Sequence, residues 1–159
     1  MKIRCLIIDD EPLAQRVIEK YALDIPFLEV VAKCNQAVDA IEVLHREQID
    51  VIFLDINMPK LSGIDFLKTM KKTPLVIITT AYAEYALEGY ELDVVDYLMK
   101  PFAFDRFVKA VHKAQEMLSS RASATDGALP AELPSEEQYI FVKSGKKTYK
   151  VNLNDLLYV

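Results

Sequence analysis

Charged residues stand at the ends of apolar runs, where a carboxylate or an amine could do chemistry. Asp9-Asp10-Glu11 follows the run Ile3 to Ile8, Asp55 follows Val51 to Leu54, and Lys100-Pro101 comes just after Val94 to Leu98. A carboxylate leaving an apolar strand into Asn57-Met58-Pro59-Lys60-Leu61-Ser62-Gly63 is costly to place unless something uses it. Clustered carboxylates with few soft ligands suit a hard cation such as Mg²⁺, which takes oxygen ligands and keeps waters. Asp55 is then a nucleophile that forms an acyl phosphate. Lys100 and the cation balance charge on the transferring oxygens, and the Thr80 hydroxyl donates to one of them. Each residue alone has a duller account: helix capping for Asp9 and Asp10, a turn for Asp55, strand preference for Thr79 and Thr80, a solvated charge for Lys100. The set is harder to dismiss, because in an open α/β sheet ligands gather beyond the carboxyl ends of the strands.

The elements that must carry these residues alternate in period. Strands are predicted at Ile3 to Ile8, Leu28 to Ala32, Val51 to Leu54, Leu75 to Thr79 and Val94 to Leu98. Helices are predicted over Pro12 to Leu23, with Leu13, Val17 and Tyr21 on one face, and after Asn35 as N-cap, carrying Ala37, Ile41 and Leu44. Ile64 to Met70 and Ala83 to Glu88, stopped by Gly89, are shorter helices. The last helix carries the stripe Phe104, Phe107, Val108, Val111 and Leu118. Five βα units imply an α/β fold with a parallel sheet covered by helices on both faces.

From Ser119 to Gln138 the apolar period is lost and Ser, Ala and Pro predominate, the signature of a linker. Tyr139 to Lys143 and Thr148 to Val151 then read as a β-hairpin around Ser144-Gly145-Lys146-Lys147. So short a tail cannot bury a core, and is expected to be the opening fragment of a second domain. It carries four Lys and one Asp within a chain of net charge −5, so the acidic body disfavours nucleic acid while the tail permits it. Cys5 and Cys34 are expected as buried reduced thiols, and His45 and His112 as ordinary helical residues. No apolar run approaches membrane-spanning length and none resembles a signal peptide, so the expected compartment is cytoplasmic.

Asp9-Asp10-Glu11-Pro12, Asp55-Ile56-Asn57-Met58-Pro59 through Gly63, Thr80-Ala81 and Asp96-Tyr97-Leu98-Met99-Lys100-Pro101-Phe102, in that order, resemble the receiver domain of two-component response regulators. The resemblance covers Met1 to about Leu118. It implies a flavodoxin-like (βα)5 fold with sheet order 2-1-3-4-5, and a histidine kinase as phosphoryl donor to Asp55. It also implies Mg²⁺ held by Asp10, Asp55 and the Asn57 backbone carbonyl, with Asp9 acting through water. Lys100 would pair with the phosphoryl group across a cis Lys100–Pro101 bond, and Thr80 with Tyr97 would form the switch. Small Ala81 leaves the acyl phosphate reachable, and bulky Tyr82 shields it from water.

Tyr139 through Val159 resembles the start of a LytTR DNA-binding domain. The implied organisation is a receiver over 1–118, a linker over 119–138 and a truncated LytTR fragment over 139–159. DNA would be bound only through the full-length C-terminal domain. Phosphorylation is expected to favour a homodimer through the face of the fourth helix, fifth strand and fifth helix, where Tyr85, Leu87, Tyr90, Phe102 and Phe104 gather. The chain is read as a phosphoacceptor, not an enzyme beyond self-phosphorylation from a donor and slow autodephosphorylation. Two alternatives rank below: a partner-binding receiver with no DNA role, and a haloacid-dehalogenase-like phosphatase. The latter wants an Asp two residues past its nucleophile, where this chain has Asn57.

Overall fold

The computed structural model describes residues 2–70, 74–82, 93–126, 139–144 and 147–152. A strand forms at each apolar run expected as one: β1 Ile3–Ile8, β2 Leu28–Cys34, β3 Val51–Asp55, β4 Leu75–Thr80 and β5 Asp96–Met99, the last starting two residues later than the expected Val94. They pair in parallel in the order β2-β1-β3-β4-β5, as the resemblance implies. Four helices are described: α1 Pro12–Leu23, α2 Ala37–Arg46, α3 Gly63–Thr69 and α4 Phe104–Asp126. The helix expected over Ala83 to Glu88, with Tyr85, Leu87, Gly89 and Tyr90, lies outside the described residues.

Strand residues alternate between two cores. Cys5, Ile7, Phe53 and Ile77 pack with Ile18 and Ala22 of α1 and Phe107 and Val111 of α4. Leu6, Ile8, Ile52, Leu54 and Ile78 pack with Ala40 and Val43 of α2 and Ile64 and Phe66 of α3. Both sheet faces are covered, which is why the central strands read as unbroken apolar runs. Burying each such side chain is worth about 1.5–3 kcal/mol, so the sheet is a rigid base for whatever its ends carry. Both cysteines are free and buried, and burial pushes the Cys5 thiol up to about 12, so it packs as a small hydrophobe.

Two helix faces differ from expectation. In α1 the buried positions are Gln15, Ile18 and Ala22, while Leu13 is 71% exposed, Val17 is half-buried and Tyr21 packs against the edge of the core. Gln15 can enter the buried line because backbone oxygens satisfy its amide. In α2 the N-cap is Gln36, without a side-chain bond, because the Asn35 oxygen accepts from Gln15 instead. Ala37, Ala40 and Val43 face the sheet and Leu44 packs against the second core, while Ile41 is exposed.

α4 buries Phe107, Ala110, Val111 and Ala114; Phe104 is partly exposed, with its ring centroid 5.3 Å from that of Tyr21. The helix also runs past Ser119 to Asp126, since Ala- and Arg-containing sequence sustains it until Asp126-Gly127. The first part of the expected linker is therefore helical, and 127–138 lie outside the described residues. Described by itself, the second compact unit, Ala122–Val159, contains the hairpin β6 Tyr139–Ser144 and β7 Lys147–Asn152, antiparallel as expected.

Candidate functional site

Because β1, β3, β4 and β5 are adjacent and parallel, their carboxyl ends share one edge of the sheet. Asp9 and Asp10 directly follow β1, Asp55 ends β3, Thr80 ends β4 and Lys100 directly follows β5. Asp55 pairs in register with Thr79, and the Lys100 N–H donates to the Thr80 carbonyl at 2.7 Å. The edge therefore brings together the acidic and basic residues that the sequence separates by up to about ninety positions.

Asp9 is fully buried, and every polar group on it is engaged. Its N–H donates to the Cys34 carbonyl at 3.0 Å, and its own carbonyl accepts from the Gln15 amide at 2.5 Å. One carboxylate oxygen accepts from the Glu11 N–H at 2.9 Å and the other from Lys100 Nζ at 2.8 Å. Lys100 Nζ stands 3.7 Å from Asp55 and 4.0 Å from Glu11. Its charge is thus shared unequally, mostly with Asp9.

That inequality sets the electrostatics. Asp55 is only 3% exposed, and burial, then repulsion from Asp9, pushes its pKa up to about 7. Lys100 opposes the rise, but from the longer distance, while Asp10 adds to it. Burial works against the Lys100 charge, yet its bond to Asp9 and the fields of Asp55 and Glu11 outweigh burial and raise its pKa. One oxygen from each of Asp9, Asp10, Glu11 and Asp55 lies within 4.8 Å of the others. Hard oxygen donors that repel one another and share one amine fit Mg²⁺. Asn57 is exposed in the loop two residues beyond Asp55.

Thr80 is fully buried, and its hydroxyl oxygen accepts from the Tyr82 N–H at 3.2 Å. Tyr97 is half-buried against the second core, with its hydroxyl donating to the Tyr82 carbonyl at 2.7 Å. Tyr82 is 46% exposed. The Lys100–Pro101 bond is cis.

Supporting residues were harder to foresee. Gly63 sits so close beneath the site that a Cβ there would collide with the Asp55 carbonyl oxygen. Ser62 caps α3 by accepting from the Asp65 N–H at 3.1 Å. The run Ser-Gly before an apolar helix was signal enough for both. Arg106 was missed. It makes two 2.8 Å bonds to Asp96 and one of 3.1 Å to the Tyr97 carbonyl, clamping α4 to the strand that leads into Lys100. Burial disfavours the Asp96 charge, but Arg106, the Tyr97 N–H and Lys113 outweigh it and hold its pKa below 3.8.

Arg106→Ala should therefore cost about 1–2 kcal/mol in urea unfolding at neutral pH, the guanidinium being partly exposed and screened. Asp96's contribution is complete above 3.8 and lost as pH falls through its depressed value, so the gap between variant and parent narrows in that acid range. A gap independent of acid would contradict the clamp.

Other cavities lie elsewhere or alongside. A cleft of about 620 Å³ between α2 and α3 holds none of these groups. An apolar groove of about 430 Å³ between α1 and Pro101-Phe102 opens beside Lys100. Among the described residues no helix is long and apolar enough to cross a membrane.

Comparison with known proteins agrees with this geometry. Residues 5–112 match the response regulator receiver domain. The sensory transduction protein LytR of Staphylococcus saprophyticus is 32% identical over 99% of this chain and 66% of its own length. The transcriptional regulatory protein BtsR of Salmonella typhi is 32% identical over 99% of this chain and 65% of its own. The chain thus spans just under two thirds of the length of these relatives. Among solved structures, the receiver domain of AraT, a response regulator from Geobacillus stearothermophilus, superposes with a TM-score of 0.70 at 32% identity. That match covers 77% of this chain and 99% of the other. The response regulatory domain of mrkE from Klebsiella pneumoniae gives 0.69 at 28%, covering 74% and 99%. The matched family is a signalling receiver, not a phosphatase, and that alternative is set aside. This chain belongs to the response regulator receiver family of two-component systems.

Proposed function

We propose that Asp55 accepts a phosphoryl group from a histidine kinase in a Mg²⁺-dependent step, and that the resulting charge switches a transcriptional output. The observation that carries this is the buried Asp55 carboxylate at the sheet edge, with Lys100 Nζ at 3.7 Å and three further carboxylates around it. Asp10, Asp55 and the Asn57 backbone carbonyl would hold the metal. Asp9, its oxygens already bonded to protein, would act through water and hold Lys100 in place. Bound Mg²⁺ supplies charge stabilisation on the transferring oxygens. The Asp55 oxygen attacks phosphorus as the donor's bond to it breaks. Lys100 is placed to pair with the new phosphoryl group and Thr80 to bond one of its oxygens, with Tyr97 reading the change. The groove beside Lys100 offers a donor protein an apolar surface to dock on.

Transcriptional output is supported by the regulators named above, whose alignment covers the hairpin as well as the receiver. In this reading residues 1–118 are the receiver, 119–138 the connection, partly helical, and 139–159 the beginning of a LytTR DNA-binding domain. The phosphorylated receiver dimerises through the face of the fourth helix, fifth strand and fifth helix, of which β5 and α4 are described and Met99 is exposed.

The test is phosphoryl uptake from acetyl phosphate and Mg²⁺. The chain should take up acid-labile phosphate and form a larger species, while Asp55→Ala should do neither; uptake by that variant would overturn the assignment. Exposed Tyr82 beside the site predicts a second result. Tyr82→Ala should release phosphate roughly threefold faster by opening the acyl phosphate to water, about 0.7 kcal/mol of barrier. An unchanged release rate would remove the shielding role.

A further inference from the structure

We infer that Gln15 is a positioning residue for the metal-binding acids, acting through the Asp9 carbonyl. The inference rests on the reading that Asp10 and Asp55 hold Mg²⁺. Gln15 occupies the buried face of α1 between apolar neighbours, a place where an amide is costly unless satisfied. Its partners all lie at one place outside its own helix, the carboxyl ends of β1 and β2. The amide nitrogen meets the Asp9 carbonyl at 2.5 Å, the Asn35 side-chain oxygen at 2.8 Å and the Cys34 carbonyl at 3.3 Å. Three oxygen acceptors fix which way the amide faces, and its two hydrogens serve the two short contacts.

The consequence reaches the site through one peptide unit. The Asp9 carbonyl belongs to the plane that joins Asp9 to Asp10, and a planar peptide turns as a unit. Holding that oxygen toward α1 fixes the direction in which Asp10 leaves the strand. The Asp9 N–H, bonded to Cys34, and the Glu11 N–H, bonded to the Asp9 carboxylate, hold the two sides of the same turn. Gln15 is thus the one side chain of α1 bonded to the backbone of the acidic turn among the described residues. Partners that orient first-contact ligands commonly govern metal affinity as strongly as some ligands do.

Isothermal titration with Mg²⁺ tests this in Gln15→Met, which keeps volume and flexibility but has no donor. The variant should weaken Mg²⁺ binding roughly tenfold. Its phosphorylation rate with acetyl phosphate at saturating Mg²⁺ should stay within about threefold of the parent, because the acids remain and only their placement is loosened. A lowered melting temperature with an unchanged Mg²⁺ dissociation constant marks a merely structural residue and overturns the inference. Should Gln15→Met fail to fold, Asn35→Ala removes one of the two short contacts at an exposed position. It should weaken Mg²⁺ binding roughly threefold, and no weakening overturns the inference. If the parent chain itself binds no Mg²⁺, the reading of the site falls and this inference with it. If the parent binds and both folded variants bind equally well, only the role of Gln15 falls.

Discussion

Gly63→Ala should destabilise the chain by about 3 kcal/mol and depress phosphoryl uptake at Asp55 with it. In an open helix the same change would be mildly stabilising, since Ala has the better helix propensity. Here the added carbon would overlap the Asp55 carbonyl oxygen and stand 3.0 Å from the Asp55 carbonyl carbon and from Ile56 Cα. All three are backbone atoms, so no side chain can swing away. Either α3 retreats, losing the 2.8 Å bond from the Gly63 N–H to Ile56 and the packing of fully buried Phe66, or Asp55 moves. Urea unfolding and phosphate uptake measure the two effects separately. A loss under about 1 kcal/mol would mean the helix is not held against the end of β3 as described.

The second large effect has the opposite sign. Asp55→Asn should stabilise the metal-free chain above pH 7 and lose that advantage at acid pH. Folded Asp55 keeps its proton up to about 7, against an ordinary 3.8, because it is buried beside Asp9. Between those values the folded chain holds a proton that the unfolded chain has released, so parent stability falls as pH rises through the interval and stays low above it. The amide of the variant cannot ionise and escapes the slope. The displacement sets a ceiling of roughly 4 kcal/mol. Losing the Lys100 attraction and leaving a buried amide to satisfy reduces the expected gain to about 1–2 kcal/mol. Thermal unfolding in chelator at pH 8 and pH 5 reads the difference. Saturating Mg²⁺ should shrink the pH 8 gap, by stabilising the parent alone. A variant less stable than its parent at pH 8 without metal would contradict the crowding of carboxylates.

The same crowding explains which parts of the molecule could be read from sequence. Unbroken apolar runs bounded by turn residues marked the strands because both sheet faces are covered, and sheet order followed from the resemblance. The charged residues that meet at the edge were identifiable because each changes the chain abruptly from apolar to charged. Their supports were not so marked. Gln15 broke an apolar stripe and so misdirected the inner face of α1, and it drew Asn35 away from the cap that its residue type suggested. Arg106 reads as any exposed helical cation in sequence, because only the fold brings Asp96 within a bidentate bond. Such roles depend on partners ten or twenty positions away, and periodicity carries no record of them.

Asp55, and no other carboxylate in the cluster, is expected to bear the phosphoryl group. Borohydride reduces an aspartyl phosphate to homoserine, whereas free carboxylates are untouched. The chain should be treated with acetyl phosphate and Mg²⁺, reduced, digested and mapped by mass spectrometry. Homoserine at position 55, dependent on Mg²⁺ and strongly diminished in Lys100→Ala, is the predicted result. Homoserine at position 9 or 10, or none at any position in the Mg²⁺-treated parent, would contradict it.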